Sequence, residues 1–135
     1  MAAAVTNALA QKWGKENALY ACSAGLFANE GEPIASNAVL ALERAGIDPT
    51  ERADYRAHTA HTLRADEARK YDLLIGVSSS HAMQLLMCFP QCAHAITCLP
   101  NDISDPYGGD EETYRVCLAE ITRGVESLLF TGGNA

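Results

Sequence analysis

Asp105 stands ahead of Pro106, Tyr107, Gly108 and Gly109 in the stretch SDPYGG. A carboxyl group ahead of a proline ring, with an aromatic and two glycines behind it, looks like an acid on an active-site rim. The ring stiffens the backbone around the carboxyl group. Locally the same residues are also ordinary turn punctuation, since Asp-Pro and Gly-Gly both favour turns. A second pattern, Cys117 to Arg123 in CLAEITR, sets a thiol and a guanidinium on either side of five residues. It falls inside a helical stripe, where six residues advance ~9 Å and turn about 240°, so thiol and guanidinium diverge. Its amides are committed to helix bonds, and Glu120 would repel an anion. A third group, Cys88, Cys92, His94 and Cys98, holds four soft ligands. Pro90 divides them and a strand pattern splits the last pair, so they read as buried thiols and no metal is expected.

These residues sit in a chain of 135 residues, 48% of them hydrophobic, which suits one domain spanning 1–135 around one core. The formal charge of −7 argues against nucleic acid and anionic membranes as partners. MAAAVTNALAQKW has neither a basic segment nor a continuous apolar run, so it reads as neither signal peptide nor membrane span. Five cysteines without a Cys-x-x-Cys pair read as reduced thiols in a cytoplasm.

Helical and strand patterns alternate. Met1, Val5, Ala8, Leu9 and Trp13 share a helical face closed by Gly14, and ALYACSA (18–24) reads as a short buried strand. Pro33 opens a helix closed by Gly46, and a short helix over 63–70 precedes the strand YDLLIGV (71–77). The serines at 78–80 offer hydroxyls to cap a helix that Pro90 ends, and HAITCL (94–99) reads as the third strand. Tyr114, Cys117, Leu118, Ile121, Val125, Leu128 and Leu129 form the apolar stripe of a last helix. Apolar strands alternating with amphipathic helices imply an α/β sandwich of three layers around a parallel sheet. Working residues then lie beyond the carboxyl ends of the strands, in the loops 23–31, 78–81 and 101–109.

Taken in order, SAGL at a strand end, ALERAGID (41–48), HTAHTL (58–63), YDLLI and DPYGG resemble the low-molecular-weight protein tyrosine phosphatases. The resemblance runs from Met1 to about Phe130, with His61 where the family pattern His-x-x-Arg-x-Leu has arginine. It implies hydrolysis of a phosphomonoester through a phosphocysteine, with no cofactor and with a phosphorylated protein or small phosphomonoester as partner. By resemblance Asp105 is the general acid and Tyr107 the aromatic wall of the substrate slot. Ser23 and His58 match positions that prop an asparagine of the phosphate loop. SAGLFANEG (23–31) is similar to the bacterial group that includes protein-arginine phosphatases, with Asn29 where many tyrosine-directed members carry tryptophan.

The family's Cys-x5-Arg loop and first strand have no counterpart, because Met1 aligns just after the proline that follows the loop. The resemblance therefore implies a form truncated at its amino end, inactive by itself, with the reading frame starting upstream. A short form acting as a binding or regulatory module is the alternative. Arsenate reductases share the fold, but they need a resolving cysteine where this chain has the serines 78–80. A missing central strand would leave residues 18–24 and 71–77 flanking a gap. Either the two pair directly, or another chain covers the edge and the protein self-associates.

Overall fold

The computed structural model describes residues 1–49 and 54–130; residues 50–53 and 131–135 of the single domain read over 1–135 lie outside the described residues. The main elements are α1 (Ala2–Lys12), α2 (Ser36–Arg44), α3 (Ala65–Ala68), β1 (Leu74–Gly76), α4 (Ser79–Cys88), β2 (Ile96–Cys98) and α5 (Glu111–Val125). Single 3-10 segments cover Tyr55–Ala57 and Pro90–Ala95, and the chain after α5 winds as a wider π turn over Glu126–Phe130.

The architecture is α/β, with a parallel pair of strands between two helical layers. β1 and β2 align Leu74 with Ile96, Ile75 with Thr97 and Gly76 with Cys98. Side chains of a strand alternate between faces, and here the alternation separates two cores. Leu74 and Ile96 join Ala68, Leu85, Phe89 and Cys92 on the side of α3 and α4. Ile75, Val77 and Leu99 join Val5, Ala41, Leu42, Leu118, Ile121 and Val125 on the side of α1, α2 and α5. Gly76 lies on the α4 side, where a Cβ would come within 2.7 Å of the Ala82 nitrogen. The absent side chain lets the start of α4 approach the end of β1.

α5 follows the apolar stripe, with Tyr114, Cys117, Leu118, Ile121 and Val125 all buried. Its start is fixed by Asp110, whose carboxylate accepts from the Thr113 N–H at 2.8 Å. α2 begins at Ser36, three residues later than a proline start would place it, because Pro33 bridges to Thr59. Gly46 closes it with φ +78. α4 is capped differently from the expectation. The Ser78 side chain makes no cap bond; it lies 2.6 Å from His81 Nδ1. The cap comes from Asp102, beyond β2, which accepts from the Ser79 N–H at 2.8 Å. The last strand starts at Ile96 instead of His94, since Pro90 opens a 3-10 segment that runs through Ala95.

The expected strand over 18–24 is the main correction. Among the described residues the sheet has two strands, and this segment pairs with neither. A strand exists only through its ladder partner, and the segment has none beside it. The Asn7 side chain on α1 binds the Ala21 backbone instead, donating to its carbonyl at 2.9 Å and accepting from its N–H at 2.8 Å. Just beyond, Gly25 bridges to Thr62. Direct pairing of the two flanks therefore does not occur. Cys22–Leu26 and Leu73–Val77 both line a cavity of about 270 Å³.

Candidate active site

The loop carrying Asp105 leaves β2 and enters α5. The Asp105 carboxylate accepts from the Tyr107 N–H at 3.0 Å, a local turn bond that orients the side chain. The Gly109 N–H donates to the Pro106 carbonyl at 2.8 Å, closing a four-residue turn. Gly108 has φ +79, as the third position of a type II turn requires. A Cβ on Gly109 would lie 2.8 Å from Thr113 Cγ2 and 2.9 Å from the Pro106 oxygen. Both glycines of DPYGG thus have a steric reason.

Side chains of α2, of α5 and of the loop ahead of α2 anchor this loop. Asn37 of α2 donates to the Gly109 carbonyl at 3.2 Å. The Cys117 thiol donates to the Ser104 carbonyl at 3.6 Å. The Tyr107 hydroxyl donates to Glu32 at 3.2 Å. Tyr107 is otherwise 71% exposed, so its ring stands on the rim with one face open. Asp105 is exposed beside it.

Cys117 is buried within α5, and burial, more than the nearby Glu120 carboxylate, pushes its thiol above the usual range. A thiol held protonated is a hydrogen-bond donor and a poor nucleophile. Arg123 is exposed. The CLAEITR pair therefore forms no anion loop.

Ser23 Oγ lies 3.4 Å from His58 Nε2. They share a second cavity, of about 350 Å³, with the first turn of α1 (Met1, Ala3, Ala4) and with His61. Burial holds the His58 imidazole below the ordinary histidine value, helped by positive charge at the amino end and at His61. His61 Nε2 lies 2.9 Å from a Glu67 oxygen. The cavity thus opens onto the amino end of an eleven-residue helix, where unpaired N–H groups favour anions. Asp105 and Tyr107 line neither this cavity nor the one beside β1.

The chain matches the model of the low molecular weight phosphotyrosine protein phosphatases over residues 1–133. It belongs to that family. A solved low molecular weight protein tyrosine phosphatase from T. tengcongensis superimposes with a TM-score of 0.81 at 30% identity, over 95% of this chain and 86% of that one. The YwlE mutant of Bacillus subtilis has the same fold, with a TM-score of 0.81 at 22% identity over 94% of this chain and 84% of its own. A protein-arginine-phosphatase of Geobacillus stearothermophilus is 26% identical over 113 residues, which is 78% of this chain and 72% of that protein.

Within this low molecular weight phosphatase, none of the five cysteines occupies a strand-to-helix loop followed by arginine at the family spacing. Cys88 is exposed at the end of α4 and Cys92 is buried in the adjoining core, so the two do not present a thiol pair to the loop 78–81. Among the described residues no three histidine, cysteine or carboxylate side chains gather as a metal site. Sequence reasoning missed Glu32, Asn37 and Asp102. Each acts on a partner at least 23 positions away, and no local pattern marks it.

Proposed function

We propose that the chain carries the acid and support side of a phosphomonoester hydrolase acting on phosphorylated protein. In this reading Asp105 protonates the leaving oxygen and afterwards helps activate water, while Tyr107 walls the substrate slot. Ser23 and His58 hold a phosphate loop from beneath, a role supported by their 3.4 Å contact and by the cavity they share with the first turn of α1. The observation that carries the reading is the anchored Ser104–Gly109 loop, tied at Ser104 to α5, at Tyr107 to Glu32 and at Gly109 to α2. An acid on a loose turn would not need such fixing. The free cysteines suit a reducing, cytoplasmic setting.

Among the described residues no thiol stands beside an oxyanion clamp, and phosphoryl transfer to an enzyme needs both. We therefore expect no release from an aryl phosphate above a protein-free blank. Fusing a strand and a Cys-x5-Arg-Ser-Pro loop ahead of Met1 should restore turnover. Asp105→Asn in that fusion should then lower kcat by roughly 100-fold on a poor leaving group. An unchanged kcat would remove Asp105 from the acid role. Turnover by the unfused chain that disappears in Cys117→Ser would overturn the reading of α5.

A further inference from the structure

We propose that the outer face of α4 is a self-association surface, on which two copies of this chain pair across a twofold axis. α4 is apolar on two sides. Leu85, and Phe89 just beyond the helix, pack inward against Ala68, Leu74 and Cys92. Met83, Leu86 and Met87 stand at i, i+3 and i+4, so they share one face of the helix, and they are 64%, 41% and 79% exposed. A helix that is apolar around most of its circumference belongs between two layers, and here the outer side lies open.

The stretch that carries this face holds no permanent charge. From Leu73 to Asn101 there is no Asp, Glu, Lys or Arg, although these residues make up 20% of the chain. The exposed Val116 of α5 lacks this setting, since Glu112 and Glu120 stand four positions to either side of it. Freedom from charge is what selects a second copy as the occupant. A contact about a twofold axis sets a surface against itself, so every charge near the axis meets its own kind. Two copies of net charge −7 repel, and they close most readily where neither presents a carboxylate. An unlike partner, in contrast, is selected by complementary charges, and this face offers none. Antiparallel packing of the two α4 helices sets Met83 of one copy against Met87 of the other, with Leu86 beside them. The flexible thioethers fill the gaps of such a contact. Three side chains per copy make a small interface, so the dimer is weak, with a Kd on the order of 10–100 µM. Neither the phosphatase reading nor the cavity beside β1 enters into this contact.

Sedimentation equilibrium of the full chain tests the contact, with a reductant present so that the exposed Cys22 and Cys88 do not cross-link. The parent should show a monomer–dimer equilibrium that shifts with concentration. Met83→Glu/Met87→Glu sets like charges across the axis and should weaken the dimer about tenfold or more. Both positions are exposed, and an unchanged urea midpoint certifies that the fold is intact. Met83→Lys/Met87→Lys should weaken the dimer in the same way. An equimolar mixture of the two variants should then associate more tightly than either alone, because opposite charges meet across the axis. A fold that was merely damaged would show no such recovery. A parent chain still monomeric at about 1 mM would overturn the surface. Dimers that persist in Met83→Glu/Met87→Glu would place the contact elsewhere and overturn it too. A mixture that fails to associate would overturn the twofold pairing. Monomers that instead bind phosphatidylcholine vesicles, and lose that binding in the double variants, would assign the face to a membrane and overturn the second copy.

Discussion

The Tyr107 hydroxyl donates to Glu32 Oε1 at 3.2 Å, joining the acid loop to the loop ahead of α2 across 75 positions of sequence. Glu32 also lies within 3.5 Å of Asn29, so one carboxylate gathers two rim residues. The bond is exposed, and an exposed bond to a charged group contributes little to stability. A double-mutant cycle of Tyr107→Phe and Glu32→Gln should give a coupling below about 1 kcal/mol by urea denaturation. A coupling of several kcal/mol would mean that the rim, rather than the core, holds the two loops together.

Much of the fold was legible because the signals were local. The stripe from Tyr114 to Val125 and the run at 71–77 needed only periodicity. The segment 18–24 was misread for a physical reason: an apolar run records burial, whereas a strand also needs a partner, and here Asn7 takes that place. The cap of α4 was misassigned to nearby serines because Asp102 arrives from 23 positions away. At the site, Asp105, Tyr107, Ser23 and His58 came from resemblance, not from any local pattern. The anchors Glu32, Asn37 and Cys117 became visible only once the chain had folded.

His58 should make stability depend on pH. Its folded pKa is held below the ordinary value by burial first, so the unfolded chain binds the proton more tightly. Above the unfolded pKa of about 6.5 both states are neutral and the group contributes no slope. Stability should fall as the pH drops through that value toward the folded pKa. The carboxylates of Asp110 and Glu112, held low by bonds to Thr113 and Arg115, act only at still lower pH. Urea midpoints compared between about pH 7.5 and pH 5.5 should decline in the parent and decline less in His58→Gln. An identical decline in both would clear His58 of the effect.

The two glycines of the acid loop should respond differently to alanine. At Gly109 the new Cβ meets Thr113 Cγ2 at 2.8 Å and the Pro106 oxygen at 2.9 Å, so either the turn or the Asp110 cap must open. A cost of about 1–3 kcal/mol is expected, as for overpacking. At Gly108 there is open space, and only the left-handed φ of +79 is penalised, at about 1–2 kcal/mol. Chemical denaturation separates the magnitudes, and hydrogen exchange separates the causes. Gly109→Ala should speed exchange at the Thr113 amide, whereas Gly108→Ala should leave it nearly unchanged. The reverse order of exchange would show that the turn and the cap are not mechanically linked.

Asn7 is the residue whose loss should tell most about residues 18–24. Its side-chain amide does for Ala21 what a neighbouring strand would do, satisfying both the N–H and the C=O at 2.8 and 2.9 Å. It also fastens α1 to the segment that lines the cavity beside β1. Asn7→Ala removes the donor and the acceptor together and leaves two partly buried backbone groups without protein partners. The expected loss is about 1–3 kcal/mol, reduced to the extent that water reaches them. Asn7→Asp keeps the acceptor for the N–H but sets a carboxylate against the Ala21 carbonyl, so it should rescue little. Asn7→Gln should also fail, because the longer side chain displaces the amide from both partners. The diagnostic signal is the Ala21 amide, whose hydrogen exchange should accelerate in all three variants well below the global unfolding transition. If Ala21 exchanges at the parental rate in Asn7→Ala, the segment is held by something other than this side chain.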